Sequence, residues 1–229
     1  MPAPGSSDRT DELLAAQRTY YDLRAPDYMN TAAPSDRRSR GLVSSEAVRR
    51  VLSDFSPTGD VLELACGSGA FTRALLDHAA TLTCVDGSPE MLRLNREVVG
   101  VPEVSYVEAD LFSWSPPRRF DHVFFGFWLS HVPPSRFDAF WDLLDQCLVP
   151  GGRVGFVDED ERGVANEASH ADGDVPTAVR RLSDGRTFEI VKVFWSAPEL
   201  ESRLAALGWT ASVRQLEETY LVGTASRPA

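Results

Sequence analysis

The 229-residue chain carries 23 Lys and Arg against 34 Asp and Glu, a formal charge of −11, with 43% hydrophobic and 25% charged residues. These are the proportions of one globular domain with elaborations, and no apolar run reaches the roughly 20 residues of a membrane helix, so disordered, fibrous and membrane-spanning classes are excluded. The acidic balance argues against nucleic acid or a membrane as partner and for a small-molecule substrate.

Three scattered cysteines, Cys66, Cys84 and Cys147, predict reduced thiols. With no apolar leader at the start of the chain, they point to a cytoplasmic protein. Lys192 is the only lysine among the 23 basic residues, an arginine bias that fits a high-GC bacterial source. No feature of the pattern specifies an oligomeric state.

Residues 1–10 are polar and expected to fray. A helical period in Leu13, Leu14, Gln17, Tyr20, Tyr21 and Arg24 predicts a helix over 11–28, interrupted at Ala25-Pro26. A second pattern in Val43, Ala47, Val48, Val51 and Leu52 ends at Ser56-Pro57-Thr58-Gly59. Residues 1–56 thus read as an N-terminal helical cap, and 57–229 as the core.

From Asp60 onward, short apolar runs at 61–65, 82–85, 104–107, 122–127 and 154–157 alternate with helical patterns. That alternation is the signature of a doubly wound α/β fold with a parallel sheet. Pro150-Gly151-Gly152 is expected to close the helix before the fifth strand. An insertion over about 158–195 is expected to face the substrate, with a hairpin at 182–188 leading into a β-rich run to Trp195. Ser196 with Glu199 reads as a capping box, and two last strands joined by a short link are expected to pair antiparallel.

The chemistry gathers at strand ends. Glu63 stands in an otherwise apolar strand, followed by Gly67 and Gly69 opening a helix, where backbone N–H groups can meet a ligand. Asp86 ends the second strand, placed to accept both hydroxyls of a ribose. Asp110 ends the third, next to Leu111, placed to read an exocyclic amine. Three acids at three successive strand ends lie along the crevice where open α/β sheets bind ligands.

With these residues together the sequence resembles the class I S-adenosylmethionine-dependent methyltransferases over residues 60–225. Glu63 to Gly69 is similar to that family's glycine motif, Asp86 to its ribose-binding acid, and Asp110-Leu111 to its adenine-reading pair. The resemblance implies a mostly parallel seven-stranded sheet and S-adenosylmethionine as cofactor. It also implies Met91 against the adenine, Gly126 and Phe127 near the methionine part, and Tyr20 or Tyr21 over the cofactor.

The expected reaction is methyl transfer to an O or N atom of a small molecule, a secondary metabolite or quinone-like ring. His131, leaving the fourth strand at the same edge, is the candidate base. Trp128 and Trp195, at strand–loop junctions, are the candidate acceptor contacts. Arg180, Arg181 and Arg186 are candidates for an acceptor's carboxylate. An NAD-dependent oxidoreductase is the rival reading, weakened by the missing third glycine and by Glu63; a noncatalytic cofactor-binding protein of the same fold is the other. The four histidines and three cysteines show no metal-binding spacing.

Overall fold

The computed structural model describes residues 6–27, 46–162, 169–170, 175–216 and 220–228. Helix α1 spans Ser6–Arg24 and runs into a 3₁₀ turn at Ala25–Asp27, so it starts earlier than expected and stops at the predicted proline. Ion pairs of Arg9 with Glu189 and of Asp11 with Arg136 tie the first turns down. Helix α2 spans Glu46–Phe55; the start of the second predicted helix, at Val43, lies outside the described residues.

Strands β1 (Asp60–Leu64), β2 (Thr81–Asp86), β3 (Ser105–Glu108), β4 (Phe120–Gly126) and β5 (Leu148–Glu159) follow, with helices α3 (Thr72–Leu75), α4 (Pro89–Val99) and α5 (Phe137–Cys147) in the connections. Beyond them come β6 (Ser169–His170), β7 (Thr177–Arg181), β8 (Thr187–Val191), α6 (Ala197–Ala206), β9 (Thr210–Leu216) and β10 (Tyr220–Ser226). The main sheet has the order β3-β2-β1-β4-β5-β10-β9, seven strands of which only β10 is reversed. The doubly wound expectation holds, and the order reverses between β1 and β4, the point where such sheets open a crevice.

Both faces of the sheet are covered, so its central strands are mostly apolar rather than alternating. In β4, Phe125 packs with Phe140, Trp141 and Phe156 on one face, while Phe124 packs with Phe55 and Phe71 on the other.

Three local expectations change. The Pro150-Gly151-Gly152 segment does not close α5, whose cap is Leu148 in extended conformation. It is the irregular first part of β5, opposite the register shift between Phe120 and His122, with Gly151 supplying a φ of +79°. Ser196 occupies the N-cap of α6, but its side chain makes no capping bond. Pro198, two positions on, has no N–H to offer. Finally, β8 stops at Val191 rather than running to Trp195. Lys192 N turns to Pro176 O and Val193 N to Ser130 O, which diverts the chain toward the end of β4. The smaller antiparallel sheet β6-β7-β8 carries the predicted hairpin, and α1 lies against β8, with Tyr20 packed on Phe188.

Candidate active site

Two chain turns at the order reversal open the site. Ala65 follows β1 with φ +50° and Phe127 follows β4 with φ +57°. Non-glycine residues in this left-handed region mark places where the surroundings hold the backbone against its preference. Both line a cavity of about 180 Å³ at the carboxyl edge of the sheet, roofed by Leu14, Gln17, Arg18, Tyr21 and Arg24 of α1.

One end of the cavity is acidic. Asp86 Oδ2 accepts from Gly67 N at 2.8 Å and its Oδ1 from Ser88 N at 2.9 Å, so the carboxylate is fixed with lone pairs to spare. Burial raises the Asp86 carboxyl above its ordinary value, opposed by the N–H bonds from Ser88, Gly67 and Gly87. Ser88 also starts α4: its Oγ accepts from Met91 N at 3.1 Å, with a proline in the first turn behind it. Met91 is thereby set on the cavity wall. Asp110 Oδ1 accepts from Phe112 N at 3.0 Å, and its Oδ2 meets Arg18 of the roof at 3.1 Å.

The other end, beyond the order reversal, is cationic. Arg24, Arg180 and Lys192 line it, together with Glu159. Lys192 is 4% exposed and Arg24 5%. The Lys192 ammonium donates to Glu159 Oε2 at 2.5 Å and to Ser130 Oγ at 3.0 Å, while Asp158, buried below, accepts from Ser130 N at 3.1 Å.

Between the two ends sits His131. Its Nδ1 lies 2.9 Å from Val191 O; a carbonyl only accepts, so Nδ1 carries the proton and Nε2 the lone pair. Nε2 is 2.9 Å from the Tyr21 hydroxyl, which therefore donates to it. Burial, reinforced by Lys192, holds the imidazole pKa well below its usual value, so His131 is neutral near pH 7.

Of the residues singled out by sequence, Tyr21, Gly67, Asp86, Met91, Asp110, Leu111, Gly126, Phe127, Trp128 and His131 line this cavity. Glu63, Gly69, Tyr20 and Trp195 do not. Glu63 is 1% exposed behind the glycine loop, accepting from Thr72 Oγ1 at 2.6 Å and Cys84 Sγ at 3.5 Å. Burial pushes its carboxyl up to about 8. Gly69 faces away from the cavity, against Asn95. Tyr20 instead packs into the small sheet with Leu182 and Ile190. Trp195 packs at a tilt against Phe137, ring centroids 5.1 Å apart, inside the main core. Arg180 reaches the cavity; Arg186 instead pairs with Asp184.

Lys192, Arg24, Arg18 and Gln17 were missed as site residues. The buried stripe Leu13, Gln17, Tyr20, Arg24 of α1 keeps helical spacing, and its two polar members were the available signal: a buried helix face is polar where it roofs a polar cavity.

Comparison with known proteins agrees with this geometry. Residues 61–152 match a family model described as a methyltransferase domain. The chain is 32% identical over 104 residues to nodulation protein S of Rhizobium tropici, covering 44% of this chain and 43% of that protein. It is 38% identical over 95 residues to the trans-aconitate 2-methyltransferase of Escherichia fergusonii, covering 40% of this chain and 36% of that protein. The matches thus span less than half the length of these curated relatives. Over nearly its whole length the chain is similar to DhpI, solved in complex with SAM and HEP: 41% identity, TM-score 0.81, covering 94% of this chain and 98% of that one.

The chain belongs to the class I S-adenosylmethionine-dependent methyltransferases. The acidic end of the cavity fits the family's cofactor: Asp86 offers two fixed oxygens to a ribose diol, Met91 and Leu111 supply apolar walls for a flat base, and Gly126 cannot carry a side chain there. A Cβ at Gly126 would stand 2.1 Å from Phe71 Cε2, so the strand end is kept bare beside the crevice.

Proposed function

We propose that this methyltransferase acts on an oxygen of a small acidic molecule, a carboxylate or a related oxyanion. The observation that carries the reading is the cationic end of the cavity: two nearly buried cations, Arg24 and Lys192, and a third, Arg180, in a chain of net charge −11. Lys192 pairs with Glu159, and a group of cations at one end of a cavity suits an anionic acceptor. The name of the trans-aconitate relatives, acid methyltransferases, agrees. A quinone-like ring, the other expectation, is less well served, because Trp195 belongs to the core and the acceptor end is charged.

The bound cofactor supplies an electrophilic methyl group. The chain's residues then have three tasks. Asp86 and Asp110 would hold the adenosyl part at the β2–β3 side of the cavity. Arg24, Arg180 and Lys192 hold the acceptor's anion at the cationic end, with an oxygen lone pair aligned for in-line attack, so proximity and orientation carry the rate. An ionised oxygen needs no base. His131, by accepting from Tyr21, aims the Tyr21 hydroxyl at the acceptor end. If the acceptor is instead an alcohol, its proton passes to Tyr21 as Tyr21 passes its own to His131 Nε2, and His131 is the base at one remove.

The test is a panel of mono-, di- and tricarboxylic acids and phosphorus oxyacids set against neutral alcohols and quinols, scored by S-adenosylhomocysteine release and by mass of the methylated product. Turnover confined to acids is expected. Turnover of quinols or alcohols alone sinks the acid reading while leaving the cofactor reading intact.

A further inference from the structure

Behind the glycine loop, on the side away from the cavity, stands a fully buried asparagine with no part in the chemistry described above. Asn95, on α4, is 0% exposed. Its Nδ2 lies 3.2 Å from Gly67 O, 3.4 Å from Cys66 O and 3.0 Å from Thr72 Oγ1. Its Oδ1 accepts from the Tyr106 hydroxyl of β3 at 2.9 Å. The two carbonyls are acceptors only, so the amide must present its nitrogen to the loop and its oxygen to Tyr106; the network fixes the orientation. Burial raises the Tyr106 hydroxyl pKa, so that group stays a donor at every working pH.

The packing is as tight as the bonding. Gly69 has φ +88°, and a Cβ there would stand 2.9 Å from Asn95 Oδ1 and 3.0 Å from Val99 Cγ2. The second glycine of the motif is therefore required by its own φ and by the approach of Asn95 and Val99. On the other side, Gly67 presents its N–H to Asp86. One peptide segment thus carries both the strut from Asn95, at its carbonyls, and the orientation of the ribose-binding carboxylate, at its N–H.

We propose that Asn95, held by Tyr106, is a positioning residue of the cofactor site: it sets the glycine loop and, through Gly67, Asp86, and so controls cofactor affinity without touching the ligand. The inference rests on the cofactor site and is independent of the acceptor's identity.

The experiment is calorimetric titration with S-adenosylhomocysteine of the full chain and of Tyr106→Phe, Asn95→Leu and the double variant, at a temperature where circular dichroism shows each folded. Tyr106→Phe removes one oxygen from a half-buried edge strand and should raise Kd about 3- to 10-fold, the range of one hydrogen bond. Asn95→Leu should raise it by about 10-fold or more, and Tyr106→Phe should add nothing in the Leu background, since the hydroxyl acts through Asn95. A merely structural role lowers the melting temperature without this coupling in Kd.

Unchanged Kd in the single variants, or an equal Tyr106→Phe effect in both backgrounds, overturns the proposal. If Asn95→Leu does not fold, Tyr106→Phe decides alone, an unchanged Kd overturning it. A native chain that fails to bind S-adenosylhomocysteine overturns the cofactor reading and this inference with it, an outcome distinct from the others.

Discussion

At Glu63, burial decides the protonation state. The side chain meets one hydroxyl and one thiol, no cation, and its pKa rises from 4.5 to about 8. Near neutral pH the folded state keeps a proton that the unfolded chain has lost, so stability is fullest below about pH 4.5 on this account and falls as pH rises toward 8. Glu63→Gln, isosteric and permanently neutral, should therefore have a melting temperature several degrees above the native chain at pH 8.5 and little different at pH 5, by scanning calorimetry. Equal pH slopes in the two proteins would show that Glu63 does not titrate in this range.

His131 has the opposite sign. Its folded pKa is depressed, so its contribution to stability is present above about pH 6.5 and is lost as pH falls. Turnover should consequently show no inflection between pH 6.5 and 7.5 from this group. Tyr21→Phe and His131→Ala should each lower kcat/KM about 10- to 100-fold while leaving S-adenosylhomocysteine affinity within about two-fold. Equal losses in both parameters would instead place the pair in cofactor binding.

Among the elements, the strand–helix alternation made the core legible, because buried parallel strands write largely apolar runs, and β2 and β4 end at an acid and a glycine. The acidic end of the cavity was legible for the same reason: Asp86 ends β2 and Asp110 stands two residues beyond the end of β3. The cationic end was not. Arg24 is 134 positions from Asp158 by residue number, and Lys192 reaches the crevice only because the chain leaves β8 to bond Ser130. No local spacing encodes such an approach. Tyr20 and Tyr21 illustrate the limit from another angle, since adjacent helical residues diverge by about 100°, and only one of the two can face the cavity.

Helix α1 is the element on which the acceptor end depends. Its polar anchors, Gln17 to His131 O, Asp22 to Ser88 Oγ and Glu90 N, and Arg18 to Asp110, fasten it to both halves of the crevice. Arg24→Ala should raise acceptor KM about 10-fold with S-adenosylhomocysteine affinity unchanged by calorimetry. A matching loss of cofactor affinity would show that the helix serves the cofactor end instead.

For the whole molecule, the arrangement sets a long-range charge against a short-range one. A chain of net charge −11 repels an anionic acceptor at a distance, while Arg24, Arg180 and Lys192 attract it at contact. The two terms respond differently to salt. Over tens of ångströms the repulsion is largely unscreened at about 10 mM ionic strength, where the Debye length is near 30 Å, and largely gone at about 150 mM, where it is near 8 Å. The contact attraction acts within a few ångströms among nearly buried groups and is screened much less. Adding salt therefore removes more repulsion than attraction. The KM of an acidic acceptor should stay level or fall by up to about two-fold between these conditions, and the affinity for S-adenosylhomocysteine, a net-neutral ligand near pH 7, should change little. A KM rising several-fold over the same range would mean that exposed cations, not the buried ones of this cavity, hold the acceptor.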